Sequence, residues 1–380
     1  MIKQKIKHSS QSSRILGRAF NHLEDLVFFY GSAGANEALN HLVDFTTADG
    51  SSSIRMKWDG NPQVYWGREY VNGPLILSGH NGWLRQVKTS DPLELEDFIL
   101  NQSGSPKTDD ERKQRAVFAK KFASLYKWFD DATPNDFVGF VYGDCLYISK
   151  PDNQNSTYSF SPNPNTNTTY HVRKNSHLGK RIDKSEILVV GHAYFKNFGM
   201  KDHEQLPISN FDMFNNSLPL IVLGPIYNSQ ILNINLKAVS DIRLLIAKNK
   251  DSIDYFLTST KGLADLKEII YRYVNQTAKN RQLHLMNQDH FLSWLSTSSI
   301  SKTKQEKIKL LNKTHNNALM YILQIVVSIQ DIKDDVIDQL EKCQNSDIWD
   351  TDGEGRVRYA DHTKQFGNIK LVPRKKWIPK

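Results

Sequence analysis

Cysteine is nearly missing from this chain: among 380 residues only Cys145 and Cys343 occur. Two thiols that far apart make neither a disulfide framework nor a zinc motif, so a reducing, intracellular setting is expected. No apolar run reaches membrane-spanning length, and the opening stretch, residues 1–7, is polar with no signal-like hydrophobic core behind it. A membrane partner is therefore not expected. The histidines are scattered without metal-ligand spacing. There is neither a G-x-x-x-x-G-K phosphate loop nor a G-x-S-x-G elbow, which speaks against P-loop, α/β-hydrolase and zinc-hydrolase chemistry.

What remains is an ordinary globular composition, 39% hydrophobic and 24% charged with a mean hydropathy of −0.52, long enough for two domains with real cores. The formal net charge is +8 and the pI about 9.1. That favours a polyanionic partner, with plain solvating charge as the alternative.

Apolar spacing predicts a helix from Ser13 to Tyr30, a break at Gly31-Ser32-Ala33-Gly34 and a second helix from Ala35 to Phe45. Strand-like runs follow at 54–57, 63–67 and 74–78, the last two joined through Asn72-Gly73, with a turn at Gly79-His80-Asn81-Gly82. Residues 91–131 read as helical, with a polar break at 103–110. Apolar strands are expected at 137–147, 187–195, 220–223 and 231–236, and a low-complexity loop at 151–169. From Lys237 to about Gln344 there is no proline and helical spacing persists, which predicts three to five helices. A closing hairpin is expected from 353–359 and 367–372. The domains expected are 1–236, a helical insertion at 237–345, and closing strands with a basic tail at 346–380.

The stretch most suggestive of chemistry is Arg55-Met56-Lys57-Trp58-Asp59-Gly60, in which a strand carries a lysine into an Asp-Gly turn. Such a lysine can present one amine at the mouth of a pocket; a solvated strand-end lysine would look the same. Further motifs follow in order: Gly79-His80-Asn81-Gly82, Gly143-Asp144 after an apolar strand, the 187–195 strand with Tyr194 and Phe195, Glu354-Gly355-Arg356-Val357, and Lys370. In this order they resemble the motif set of the covalent nucleotidyltransferases, the superfamily of ATP-dependent DNA and RNA ligases and mRNA capping enzymes. At a looser level, His22-Leu23-Glu24-Asp25-Leu26, the Lys-Trp-Asp-Gly core, the Gly-Asp pair and Phe160-Ser161-Pro162-Asn163 with Tyr170 look like an uncharacterised ligase-like family of tailed phages. The chain departs from the superfamily pattern at three points: Asp144 for glutamate, His80 for arginine, and Val372 where a second lysine belongs.

The resemblance implies an α+β fold: an antiparallel-sheet nucleotidyltransferase (ATP-grasp-like ligase) domain with an all-α insertion. It implies ATP and Mg²⁺, Lys57 as nucleophile with Asp59 and Lys370 as catalytic partners, and Arg55, Gly60, His80, Asp144, Tyr194 and Phe195 around the nucleotide. Glu354 and Asp144 would serve the metal, and Arg374, Lys375 and Lys376 the nucleic acid. The physics agrees with these residue types. A lysine amine must lose its proton to attack phosphorus, and charge building on phosphate oxygens calls for fixed cations. Gly60 would permit close backbone approach or a positive φ. Each residue also has a plain reading: Asp144 as a turn residue, Glu354 in an acidic loop, His80 in a turn, Tyr194 and Phe195 in the core.

The expected activity is polynucleotide ligation through a lysyl-AMP intermediate. RNA is preferred over DNA, because the chain ends ten residues after Lys370, with no room for the OB-fold domain expected of DNA ligases and capping enzymes. The alternatives are a non-catalytic nucleic-acid-binding phage accessory protein on a decayed ligase scaffold, or a nucleotidyltransferase acting on a protein or small molecule. The expected location is cytoplasmic, in the host if a phage encodes the gene.

Overall fold

The computed structural model describes residues 20–102, 108–162, 168–201, 204–206, 208, 211–214, 219–228, 230–258, 263–342, 348–350, 355–358 and 368–374. In chain order the elements begin with strand β1 (Phe20–His22), helices α1 (Asp25–Asp44) and α2 (Ala48–Ser52), then β2 (Ile54–Met56), β3 (Gln63–Arg68) and β4 (Ile76–Gly79). Helices α3 (His80–Leu84), α4 (Pro92–Asn101), α5 (Asp109–Ser124) and α6 (Tyr126–Ala132) precede β5 (Gly139–Tyr147), β6 (Asp152–Gln154), β7 (Thr157–Phe160) and β8 (Tyr170–Arg173). Then come α7 (His177–Ile182), β9 (Ile187–Phe195) and β10 (Leu220–Leu223). Five longer helices follow: α8 (Leu236–Thr258), α9 (Leu266–Lys279), α10 (Gln288–Thr297), α11 (Lys302–Thr314) and α12 (Ala318–Lys342). Strands β11 (Ile348–Asp350), β12 (Arg356–Arg358) and β13 (Asn368–Leu371) close the chain. The fold is mixed α and β with mainly antiparallel pairing; β1–β13 and β9–β10 are parallel. No described helix is long and apolar enough to cross a membrane.

Contacts divide the chain into two units: Met1–Lys57 with Tyr227–Cys343 and Gly355–Lys380, and Trp58–Ile226 with Gln344–Glu354. This differs from the expected cuts at 236 and 345. Helices α8 to α12 do not close a core of their own. They share one with α1, in which Leu26, Phe28, Leu39 and Leu42 pack with Ile242, Ile246, Ile322, Ile329 and Val336. The apolar stripe of the N-terminal helix needs a partner, and the late helices supply it.

In this first unit the helix expected over Ser13–Tyr30 begins only at Asp25, and 13–19 fall outside the described residues. Residues 20–22 are strand, paired with 368–370 at the far end of the chain. Gly31, at φ +65°, kinks α1. The second half of α1 is capped by Asp254 of α8, whose carboxylate accepts the Ser32 N–H at 2.8 Å and the Ser32 hydroxyl at 2.7 Å. The strand expected at 231–236 is coil over 231–235 and runs into α8 at Leu236: Leu232 and Ile234 alternate into the helical core, but no strand among the described residues pairs with them.

A buried ionic network ties this unit together. Lys333 of α12 donates to both Glu24 oxygens at 2.7 and 2.8 Å, and Arg374 donates to Glu24 at 2.8 Å, to Asn275 at 2.8 Å and to Asp25. All four charged side chains are essentially inaccessible. Burial pushes the Glu24 carboxyl up, and the charges of Lys333 and Arg374 more than reverse this, holding it well below the usual range. Burial raises Asp25 to about 6, with the neighbouring Glu24 charge adding to the rise and Arg374 opposing it.

The second unit is built on the sheet β10-β9-β5-β3-β4. One face buries Trp66, Val141, Val189 and Val222 against Phe122 and Phe129 of α5 and α6 and Leu95 of α4. Helix α4 starts on Asp91, whose side chain accepts two backbone N–H groups ahead of Pro92; α5 starts on a Thr108/Glu111 capping box. The opposite sheet face carries Tyr65, Phe140 and Phe195, with Trp83 of α3 packed on it. A smaller sheet, β11-β8-β7-β6, completes the unit.

Candidate functional site

The boundary between the two units falls within the Lys-Trp-Asp-Gly stretch: Lys57 ends the first segment of one unit and Trp58 opens the other.

In the second unit the segment after Lys57 is stitched to its surroundings by backbone hydrogen bonds. The Asp59 N–H donates to the Tyr170 hydroxyl at 3.0 Å, and the Trp58 ring packs on Tyr170 with centroids 4.9 Å apart. The Gly60 N–H donates to Asp144 Oδ2 at 3.4 Å, Asn61 N–H to the Cys145 carbonyl at 2.9 Å, and Cys145 N–H to the Pro62 carbonyl at 3.0 Å. A side chain at Gly60 would stand 2.6 Å from the Cys145 carbonyl oxygen, so close approach, not a positive φ, requires the glycine here. Gly143 is constrained similarly, since a Cβ there would lie 2.4 Å from the Val190 carbonyl oxygen. Asp144 is inside β5, paired in register with Gln63 and Val190, and is not a turn residue.

Asp144 is 5% exposed. Its Oδ2 also faces His192 Nε2 at 3.2 Å. The register explains why. Between β5 and β9, Tyr142 pairs with Ala193 but Gly143 pairs with Gly191, which leaves His192 as the extra residue of a bulge. Bulges re-aim side chains, and this one turns His192 toward Asp144. Its ring lies 5.3 Å from that of Tyr142, whose hydroxyl accepts from Gln63 Nε2 at 3.0 Å and whose ring stacks on Tyr65 at 5.0 Å. Asp144 Oδ1 and Trp58 Nε1, by contrast, are buried with no hydrogen-bond partner among the described residues. A buried acceptor and a buried donor left without partners are costly in a finished fold and suit a site that a polar ligand completes.

In the first unit, β2, β12 and β13 bring other motif residues together. Val357 of β12 pairs with Arg55 on one side and Lys370 on the other, so Arg55 and Lys370 project from the same sheet face. The ladder runs one pair further: Lys57 N–H donates to the Gly355 carbonyl at 3.3 Å, and alternation returns Lys57 to the face of Arg55. Arg55 is buried, and Lys57 and Lys370 are half-buried. Gly355 sits at φ +85°, with the Leu371 carbonyl oxygen 2.5 Å from any Cβ, which accounts for the glycine of Glu-Gly-x-Val. Glu354 itself lies outside the described residues.

Other expected residues are placed differently. His80 is exposed at the start of α3, not in a free turn, with its ring 6.4 Å from Tyr65. Phe195 is fully buried beneath Trp83 and Phe140. Tyr194 faces the opposite core, its hydroxyl donating to the Val138 carbonyl at 2.8 Å. Alternation along β9 sends Phe195 into one packed core and lays half-buried Tyr194 against the other, while Tyr142 is half-buried on the face of Phe195. Arg374 is consumed by the Glu24/Asp25 network and is unavailable to nucleic acid, while Lys375 and Lys376 lie outside the described residues. No cluster of three or more potential metal ligands occurs among the described residues. Asp144 Oδ1 is the one buried carboxylate oxygen of this site without a partner there, and a magnesium ion, which takes few carboxylates and keeps several waters, asks for little more from the protein. His192 reads from sequence as a structural residue of the apolar strand; only the bulge, a product of strand register, joins it to Asp144.

A family of unknown function (DUF6267) matches residues 19–75 and 107–377. No curated protein and no solved structure matches.

Proposed function

Because the chain belongs to the DUF6267 family, whose function is unknown, its chemistry has to be argued from its own residues, and from these we propose an ATP-dependent polynucleotide ligase of nucleotidyltransferase fold, acting on RNA in preference to DNA. The observation that carries the proposal is the hydrogen bond from Gly60 to Asp144: the glycine of Lys-x-Asp-Gly and the acid of the Gly-Asp pair, 84 positions apart in sequence, meet in one contact. Chance motif matches have no reason to meet in this way. The shared face of Arg55, Lys57 and Lys370 supports the same reading from within the other unit.

In the proposed reaction the Lys57 amine, once deprotonated, forms a bond to the α-phosphorus of ATP as the bond to the β-phosphate oxygen breaks, giving a lysyl-AMP and pyrophosphate. A 5′-phosphate then takes the nucleotidyl group and frees the lysine, and attack by a 3′-hydroxyl seals the strand and releases AMP. Arg55 and Lys370 stabilise charge on the phosphate oxygens. Asp144, fixed by Gly60 and His192, offers its second oxygen to a ribose hydroxyl or to magnesium. When bound, the metal neutralises phosphate charge.

The test is covalent labelling. With α-labelled ATP and Mg²⁺, the wild type should retain label after denaturation and Lys57→Ala should not. Folded wild-type protein that takes up no label would remove the ligase reading and favour a nucleic-acid-binding scaffold. Label without transfer to nicked RNA or DNA would point to a protein or small-molecule acceptor.

A further inference from the structure

Two strands that pair side by side both run into the buried ionic network. Glu24 and Asp25 come just after His22, the last residue of β1, and Arg374 comes just after Leu371, the last residue of β13. One guanidinium makes the junction. Arg374 Nε donates to Glu24 at 2.8 Å, Nη1 to Asn275 of α9 at 2.8 Å, and Nη2 to Asp25. Lys333 of α12 donates to the same Glu24. Charges wholly out of water are a poor source of stability, because apolar side chains of like volume serve as well or better. What an arginine fork supplies is placement, since three donors in a fixed plane meet three acceptors in one position only.

Placement matters most in β13. It is four residues long and lies between β1 and β12, of three residues each. Lys370 stands opposite His22 on one side and Val357 on the other. Ile369 and Leu371, both fully buried, resist a slip of one residue, which would turn them out of the core. A slip of two returns every side chain to its own face, so alternation does not oppose it. It would put Asn368 or Val372 opposite Val357 in place of Lys370. Only a contact specific to one residue decides between these registers, and Arg374, tied to the residues that follow β1, makes one.

We propose that Arg374 is a register pin: by closing on Glu24, Asp25 and Asn275 it selects the pairing of β13 that sets Lys370 opposite Val357, on the face of Arg55 and Lys57. Arg374 is thus a positioning residue. Its bearing on chemistry rests on the ligase reading, which gives Lys370 its role; the pinning does not.

The experiment is disulfide trapping in the full chain, with links assigned by peptide mass spectrometry. Val357→Cys is combined with Lys370→Cys, its partner in the structure, or with Asn368→Cys or Val372→Cys, its partners only after a slip of two. Directly opposite residues come within disulfide reach and those two positions along do not. With Arg374 in place the first pair should close and the other two should not. Glu24→Met, Asp25→Leu, Lys333→Met and Arg374→Met together replace the charges by apolar side chains. In that fourfold variant the 357–370 link should fall and a slipped link should appear. Each lost hydrogen bond from a charged group shifts the balance of registers by about 10- to 150-fold. Arg374→Lys, which keeps the charge and loses the fork, should behave alike, and it serves if the fourfold variant does not fold. Ile246→Ala, which opens a cavity in the same core without altering a network residue, should lower the melt and still form the 357–370 link alone. A folded fourfold variant or Arg374→Lys that closes only the 357–370 pair, as readily as with Arg374 present, overturns the proposal. The two readings fail separately: wild type that takes no label on Lys57, while Arg374 still governs the link, removes the ligase and leaves the pin.

Discussion

Gly60 and Asp144 are held at a distance that admits no extra carbon: a Cβ on Gly60 would stand 2.7 Å from the Cβ of Asp144. The glycine of the Lys-x-Asp-Gly stretch is therefore a spacer that lets its backbone reach the carboxylate of a distant strand.

Gly60→Ala should consequently act on the site more than on the fold. Overpacking of this kind costs about 1–3 kcal/mol. A melt lowered by that amount together with abolished nucleotide labelling is expected. An alanine variant that labels as wild type does would show that the close approach is not needed for activity.

His192 is the partner that the bulge delivers to Asp144. Replacing it by phenylalanine keeps a ring of similar volume and strips Asp144 of one of the two side-chain partners it has among the described residues, which should destabilise by about 1–3 kcal/mol. Adding Asp144→Asn should return most of that stability, because an uncharged amide tolerates the missing partner better, but should not return labelling. Unchanged melting of His192→Phe would separate His192 from the site.

Glu24, Asp25, Lys333 and Arg374 predict a specific pH profile. Glu24 titrates lower in the folded chain than its ordinary 4.5, so its contribution is full above that pH and is lost as pH falls further. Asp25 titrates higher, at about 6 against an ordinary 3.8, so the folded state takes up its proton first and gains stability as pH falls from above 6 toward 4. From these two groups stability should rise on mild acidification and fall below about pH 4.5. Asp25→Asn should flatten the rise and leave the fall. Lys333→Met, which leaves the two buried carboxylates Glu24 and Asp25 with Arg374 as their one charged partner in the network, should cost about 3–5 kcal/mol at neutral pH, read from denaturant unfolding.

Local pattern was legible in the sequence where local partners decide structure. The hairpin strands at 63–68 and 76–79, the apolar β5 and β9, and the helices after Leu236 all follow from spacing and turn residues. Segments whose partner is remote were not. Phe20-Asn21-His22 reads as part of a helix from Ser13 to Tyr30 until residues 368–370 arrive to pair with it. Residues 231–236 alternate like a strand but find only helices. In the site, the Gly60 requirement was readable from the motif, whereas His192 was not, because one bulge residue decides where it points. The His22-Leu23-Glu24-Asp25 run that resembles a ligase-like family turns out to supply Glu24 and Asp25 to a buried network that holds α12 and Arg374.

The central claim is that one amine, that of Lys57, becomes bonded to nucleotide phosphorus. The direct measurement is peptide mapping by mass spectrometry of protein incubated with ATP and Mg²⁺ and quenched under conditions that preserve phosphoramidates. The account predicts a nucleotide adduct on the peptide containing Lys57, assigned to that residue by fragmentation and absent from Lys57→Arg. An adduct on Lys370 or any other residue, or none on a folded and ATP-saturated sample, would contradict it.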